Sequence, residues 1–130
     1  MVSAEEILGI KVKKLVQMGQ LIRSGFSYSC LGKLMAATGM DRAQLGKALG
    51  LNERSLARHK LTGQLSSNES NKIYRCARVV AKVLGKTGNL EAAQDWLIKP
   101  SFELRGIKPI YLLATDAGTE QVLELLNNLL

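Results

Sequence analysis

The chain has 130 residues and a net charge of +7, and 46% of its residues are hydrophobic. A chain of this length can bury a core without disulfides or metals, and it has no run approaching the roughly 18 to 20 apolar residues that cross a bilayer. The first ten residues carry Glu5 and Glu6 and do not resemble a signal peptide, so we expect a cytoplasmic protein.

The excess of positive over negative charge lies in the first two thirds of the chain. Residues 1–88 hold 15 Lys and Arg against 5 Asp and Glu, a balance of +10, whereas residues 89–130 hold 3 against 6, a balance of −3. A basic excess of this size is typical of nucleic-acid binding, because contacts with phosphates release condensed counterions. A merely solubilising surface is the alternative. The difference between the two parts predicts different partners.

Helical periodicity and capping residues divide the first part into a series of helices. Apolar residues recur every three or four positions, glycines follow where left-handed caps are expected, and Asp41, Asn52 and Ser66 occupy N-cap positions. The predicted spans are 5–22, as one or two helices with a break near Gly9, then 27–38, 41–49, 52–61 and 66–84.

Two of these helices, joined at Gly50, have the spacing of a helix-turn-helix. Gly46 lies four residues before the turn, where the helices must approach closely, and Leu56 lies six residues after it, facing the core. The second helix of such a motif enters the major groove, where Arg54 and Arg58 could bind guanine or phosphate. The other residues that we expect at the DNA from this helix are Asn52, Ser55 and Lys60.

The long helix after Ser66 gathers cations on one face and apolar residues on the other. The cations are Lys72, Arg75, Arg78, Lys82 and Lys86, with no acidic residue between Lys72 and Lys86. We expect this face, and Lys72 and Arg75 in particular, to contact phosphate. A solvated charged face is the alternative.

The last forty or so residues form a different kind of module. Asn89 caps a short helix through Leu97, Pro100 and Pro109 bracket a loop that cannot be a regular helix, and Asp116 caps a final helix with an apolar stripe. An apolar, partly exposed helical face predicts a protein partner. We predict an all-α fold with a helix-turn-helix domain over 1–86 and a second helical module over 87–130.

Neither catalysis nor a metal site is predicted. Cys30 and Cys76 lie 46 positions apart, and the single histidine, His59, falls in the predicted recognition helix. The sequence has no Gly-rich phosphate loop, paired-carboxylate motif or Ser/His/Asp set. We expect a protein that is not an enzyme and that needs no cofactor.

A series of short motifs runs through both parts of the chain. They are Leu56-Ala57-Arg58, Leu65-Ser66, Glu69-Ser70 and Arg75-Cys76-Ala77-Arg78-Val79, then Asp95-Trp96-Leu97, Pro100, Leu104, Gly106, Pro109, Leu112-Leu113, Thr115, Gly118, Val122 and Leu126. In these motifs the chain resembles the Xre/MbcA/ParS antitoxin family, the partners of RES-domain toxins. The Trp-Leu pair, the Pro, Gly, Pro series and the Thr-x-x-Gly opening of the last helix are the most diagnostic.

The resemblance implies an antitoxin that neutralises a RES-type, NAD-degrading toxin by blocking its active site and represses its own operon. The toxin-binding residues that we expect are Trp96, Arg105, Lys108, Tyr111 and Glu120. Arg105 and Lys108 could probe an anion-binding pocket of the toxin, with ordinary surface cations as the alternative. For Trp96 the alternative is a place in the core.

Two further expectations concern assembly. Helix-turn-helix proteins usually dimerise, because one helix reads too few base pairs, so we expect a homodimer on double-stranded operator DNA. The alternative function is a stand-alone helix-turn-helix transcription regulator whose C-terminal module dimerises. Dimerisation and toxin binding both need an apolar, partly exposed helical face.

Overall fold

The computed structural model describes residues 2–12 and 14–129. The helices are α1 (Ala4–Leu8), α2 (Leu15–Ser24), α3 (Ser29–Thr38), α4 (Arg42–Leu49), α5 (Glu53–Thr62), α6 (Ser67–Thr87), α7 (Leu90–Ile98) and α8 (Asp116–Asn127), with the 3-10 helices η1 (Phe102–Leu104) and η2 (Pro109–Ala114) between α7 and α8. The predicted all-α fold is confirmed. None of the helices in the described ranges has the length and hydrophobicity of a membrane span.

Local capping interactions determine where the helices begin and end. Asp41 and Ser66 each form a complete capping box with the residue three positions on, and Asn52 Oδ1 accepts the Ser55 amide at 3.0 Å. Gly9, with φ +71°, ends α1 and confirms the predicted break. The helix starts predicted after residues 41, 52 and 66 are confirmed, because a cap depends only on its nearest neighbours.

Several helix boundaries differ from the prediction: α2 begins only at Leu15, α3 begins at Ser29, and the end of α6 and the cap of α8 lie elsewhere than expected. α6 continues through Gly85, and Gly88, with φ +82°, supplies its left-handed cap. Thr115, rather than Asp116, caps α8, since Thr115 Oγ1 accepts the Gly118 amide at 2.9 Å. Asp116 therefore becomes the first residue of the helix, where its charge suits the positive end of the helix dipole.

α6 is the central element of the fold. Its apolar stripe, which includes Ile73, Cys76, Val80 and Val83, is fully buried. The helices α1, α2, α3, α7 and α8 all pack against it. This arrangement leaves most residues of α5 and of the segment 99–108 exposed.

The two predicted modules share one hydrophobic core. η2 packs against α4 and α6 as well as against α8, and α7 packs against α3. The buried apolar residues of both modules form a single cluster. The predicted boundary between residues 86 and 87 lies in the last turn of α6, and the packing does not separate the two sides of it.

Candidate functional site

A tight turn at Gly50 joins α4 to α5. Gly50 has φ +71°, which favours glycine, and the Leu51 amide donates to the Gly46 carbonyl at 2.7 Å. Leu56 is fully buried, as the helix-turn-helix spacing predicted. Gly46 is buried too, but a Cβ placed on it would lie 3.7 Å from Leu56 Cδ1, an ordinary van der Waals contact. The prediction that this position requires a small residue holds, but glycine itself is not required.

The outward face of α5 carries free cations. Arg54, Arg58 and Lys60 are all exposed, and no ion pair involves any of them among the described residues. Arg58 Nη2 donates only a long hydrogen bond, of 3.4 Å, to Ser55 Oγ. Asn52 uses its side-chain oxygen to cap the helix, which leaves its amide nitrogen available. Asn52, Ser55 and Arg58 line one groove beside the turn, whereas Lys60 lines another groove with Arg42 and Glu53, so the five residues predicted at the DNA are accessible but do not share one face of α5.

Arg42, which lines the groove of Lys60, is a part of the site that the sequence did not suggest. Its Nε donates to Glu53 Oε1 at 3.0 Å, and its Nη1 donates to Tyr28 Oη at 3.4 Å. Glu53 is the acidic residue in the first turn of α5. The ion pair across the turn therefore neutralises the charge of Glu53, which would otherwise repel a phosphate there.

Arg75 does not lie on the exposed cationic face of α6 that was predicted to contact phosphate. Its Nη1 pairs with Asp116 at the start of α8, and its Nη2 donates to the carbonyls of Leu113 and Ala114 at 3.2 and 3.0 Å. The side chain is only 11% exposed. The acidic partner comes from another helix, so the run of cations within α6 could not reveal it. Arg75 ties α6 to the C-terminal module instead of facing solvent.

The remaining cations of α6 are also less uniform than predicted. Lys72 Nζ donates to the carbonyl of the turn glycine at 2.8 Å, so Lys72 supports the helix-turn-helix and keeps two N–H donors for a ligand. Arg78 and Lys82 line a groove with Glu5 of α1 and Glu120 of α8. The signs of charge are therefore mixed along most of this face.

His59 joins α5 to α6. Its Nδ1 lies 2.8 Å from Glu69 Oε1, and the same oxygen accepts the Ser66 amide at 2.8 Å. The Glu69 side chain is almost fully buried. This histidine makes the structural polar contact that holds the recognition helix against the start of α6.

The segment after α7 forms a short hairpin over Ser101–Ile107. The Ser101 amide donates to the Ile107 carbonyl at 3.2 Å, and the Gly106 amide donates back to the Ser101 carbonyl at 2.8 Å. Leu104 is buried and anchors the hairpin. Arg105 is the one non-glycine residue of the described chain with a positive φ, at 58°.

The five residues predicted at the toxin do not form one patch. Arg105 and Lys108 are exposed on and beside the hairpin, and Tyr111 in η2 is 43% exposed. Trp96 is half-buried and packs against the core, which was the stated alternative. Glu120 is exposed in the groove beside α1 and α6.

Two family models divide the chain between them. An antitoxin Xre-like helix-turn-helix domain matches residues 17–78, and the antitoxin Xre/MbcA/ParS C-terminal toxin-binding domain matches residues 81–130. The chain belongs to the Xre-type antitoxin family. The two matched models describe a helix-turn-helix domain and a toxin-binding domain, which agrees with the prediction that the chain is not an enzyme.

Two curated relatives are both named Antitoxin Xre. The chain is 32% identical over 108 residues to Antitoxin Xre of Pseudomonas putida, an alignment of 81% of this chain and 65% of that protein. It is 26% identical over 124 residues to Antitoxin Xre of Yersinia enterocolitica, covering 94% of this chain and 84% of that protein. The chain thus spans slightly less than two thirds of the Pseudomonas relative.

One exposed feature of this Xre-type antitoxin has no counterpart in the sequence prediction. Phe102 is 94% exposed on the hairpin, and Ile98, Ile107 and Tyr111 around it are each between 43% and 45% exposed. An aromatic residue within a proline-bracketed loop was the available signal. It is a weak one, because exposed and buried aromatics look alike in a sequence.

Proposed function

We propose that this antitoxin neutralises a RES-type, NAD-degrading toxin through its C-terminal module and represses its own operon through α5. The match of residues 81–130 to a toxin-binding domain is the observation that carries the toxin half. The exposed, unpaired cations of α5 support the DNA half. We further propose that the antitoxin binds a two-fold operator as a homodimer.

The DNA-binding half assigns separate tasks to the residues of the helix-turn-helix. Arg54 and Arg58 bind base edges or phosphates, and Lys60 binds the phosphate backbone. Asn52 and Ser55 hold the N-terminus of α5 in shape and present polar groups to the groove. Lys72 contributes from the turn, whereas Arg75 is no longer part of the proposed site.

The toxin-binding half centres on the hairpin and η2. We keep Arg105, Lys108 and Tyr111 as proposed contacts because all three are exposed. Trp96 we assign to the core, and Glu120 to the groove beside α6. Blocking of the toxin's active site by this surface is the proposed mode of inhibition.

Two reciprocal double variants test the assignment. Replacing both Arg54 and Arg58 by Ala should weaken binding to duplex DNA from the antitoxin's own promoter by about a hundred-fold or more, and should leave thermal stability unchanged. Replacing Arg105 and Lys108 by Ala removes the same charge from the other module and should leave DNA affinity within about three-fold. Equal losses would mean that only overall charge matters, and no loss in the first variant would remove α5 from the site.

Growth rescue tests the toxin half. The protein encoded beside the antitoxin should deplete NAD and stop growth when expressed alone, and co-expression of the antitoxin should restore both. Under the same conditions the Arg54 and Arg58 double variant should still rescue growth. A neighbouring protein that is harmless by itself would favour the stand-alone regulator with a C-terminal dimerisation module.

A further inference from the structure

Among the residues of the C-terminal module that the structure describes, the most exposed large apolar side chain is Phe102. Its exposed fraction, 94%, exceeds that of Ile98, Ile107 or Tyr111, which surround it in sequence. A phenylalanine carries about 150 to 250 Å² of surface that is costly to leave in water. Ser101, which precedes Phe102, pairs with Ile107, so Phe102 and the half-exposed Ile107 lie at the same end of the hairpin.

Hydrogen bonds within the hairpin hold the backbone that carries Phe102. The Phe102 carbonyl accepts the Arg105 amide at 3.0 Å, and the Ser101 carbonyl accepts the Leu104 amide at 3.1 Å. Leu104, 5% exposed, fixes the far side of the turn in the core. A pre-ordered segment loses little conformational freedom on binding, so more of the contact energy becomes affinity. The left-handed backbone of Arg105 also favours a binding role for the hairpin, since non-glycine residues held in this conformation cluster at functional sites.

The charge around Phe102 differs from that of the module that holds it. Residues 89–130 have a balance of −3, yet their only three cations, Lys99, Arg105 and Lys108, all lie within six residues of Phe102. Cations concentrated beside an apolar anchor are complementary to an acidic surface. This charge pattern favours an acidic rim as the partner of Arg105 and Lys108 over the anion-binding pocket that the sequence suggested, because the cations of such a pocket would repel them.

We propose that Phe102 is the anchor of the antitoxin on its toxin: the hairpin inserts it into an apolar pocket of the toxin whose rim is acidic and pairs with Lys99, Arg105 and Lys108. The occupant of this surface is the toxin because Phe102 lies within the segment that matches a toxin-binding domain. The inference rests on the proposed function. It adds which residue contributes most of the affinity and what kind of toxin surface that residue contacts.

The test measures affinity between the full-length antitoxin and the purified toxin encoded beside it. Phe102→Ala should weaken binding by about thirty-fold to a thousand-fold, and Phe102→Leu, which keeps an apolar side chain, should fall between Phe102→Ala and the unaltered antitoxin. Leu15→Ala is the matched control, because Leu15 is 80% exposed on α2, outside the toxin-binding match, and its loss should leave affinity unchanged. Raising the salt concentration should weaken binding of the unaltered antitoxin, as the acidic rim requires.

The outcomes distinguish failure of the Phe102 anchor from failure of the proposed function. Circular dichroism and DNA affinity should be unaltered in all three variants, since the exposed side chains support no core contact. If the unaltered antitoxin binds tightly and Phe102→Ala binds equally well, the anchor is wrong and the proposed function stands. If the unaltered antitoxin does not bind the toxin at all, the proposed function fails, and the inference fails with it.

Discussion

Gly118 offers a direct test of how the C-terminal module is packed. It lies in the first turn of α8, where its amide donates to Thr115 Oγ1 at 2.9 Å. A Cβ placed on Gly118 would overlap the Leu112 carbonyl oxygen and would lie 3.0 Å from Thr115 Oγ1. The Leu112 oxygen belongs to the backbone of η2 and cannot rotate away. Gly118→Ala must therefore push η2 and α8 apart.

The expected cost follows from three contributions. Overpacking costs about 1 to 3 kcal/mol, and a strained Thr115 cap costs about a further 1 kcal/mol. Alanine returns about 0.5 to 1 kcal/mol through its helix propensity. The net loss is about 1 to 3.5 kcal/mol, which for a chain of this length lowers Tm by roughly 4 to 13 °C.

Gly46→Ala is the matched control. Gly46 is also a buried helical glycine, but its added Cβ would meet its nearest neighbours, Leu51 O and Leu56 Cδ1, at 3.7 Å. The propensity gain should therefore appear without a penalty, raising stability by about 0.5 to 1 kcal/mol. Thermal unfolding followed by far-ultraviolet circular dichroism measures both variants. Equal Tm shifts of the same sign, or an unaltered Tm for Gly118→Ala, would contradict the close contact between Gly118 and the Leu112 carbonyl.

Two further variants and one reagent test the interior. Arg75→Ala should lower the unfolding free energy by about 2 to 3 kcal/mol, because it leaves two carbonyls without their donor. Asp116→Ala should lower it by less than about 1 kcal/mol, because the Asp116 side chain is 84% exposed. Thermal melts that showed the larger loss for Asp116→Ala would contradict both expectations. Burial raises the pKa of the Cys76 thiol from 9.0 to about 12, so at pH 8 the reactive thiolate is about a thousand-fold scarcer than in an ordinary cysteine. Alkylation of Cys76 by iodoacetamide, measured by mass spectrometry, should be slower by about the same factor. Because the folded state favours the neutral thiol of Cys76, the stability that this thiol contributes is complete below pH 9 and is lost as pH rises toward 12. In Cys76→Ala the unfolding free energy should fall less steeply over that pH range.

Local rules accounted for the parts of the fold that local interactions build. Asp41, Asn52 and Ser66 could be recognised as caps because each bonds an amide three positions on. The turn at Gly50 followed from the spacing of small and apolar residues on either side of it. In the candidate site, the exposed arginines of α5 were predictable for the same reason, since the buried Leu56 fixes which face of the helix turns outward.

Contacts between residues far apart in sequence could not be predicted in this way. Arg75 and Asp116 lie 41 positions apart, and only the docking of α8 on α6 brings them together. The cationic face of α6 seemed uniform because the acids that interrupt it belong to α1 and α8. Exposure of Phe102 is equally a tertiary property, since it follows from which residue of the hairpin, Leu104, is turned into the core.

The shared core has a consequence for how the two functions can be separated. Ile110, Leu113, Val122 and Leu126 belong to the toxin-binding segment, yet they are buried in the same cluster as the residues of the helix-turn-helix. A cut near residue 88 would expose the faces of α4 and α6 that η2 covers, so the loss of one function after such a deletion could reflect unfolding of the other. The binding surfaces, by contrast, consist of exposed side chains that contribute little to the core. Surface substitutions can therefore separate the two functions where truncation cannot, because the modules differ in what they bind but not in the core that holds them.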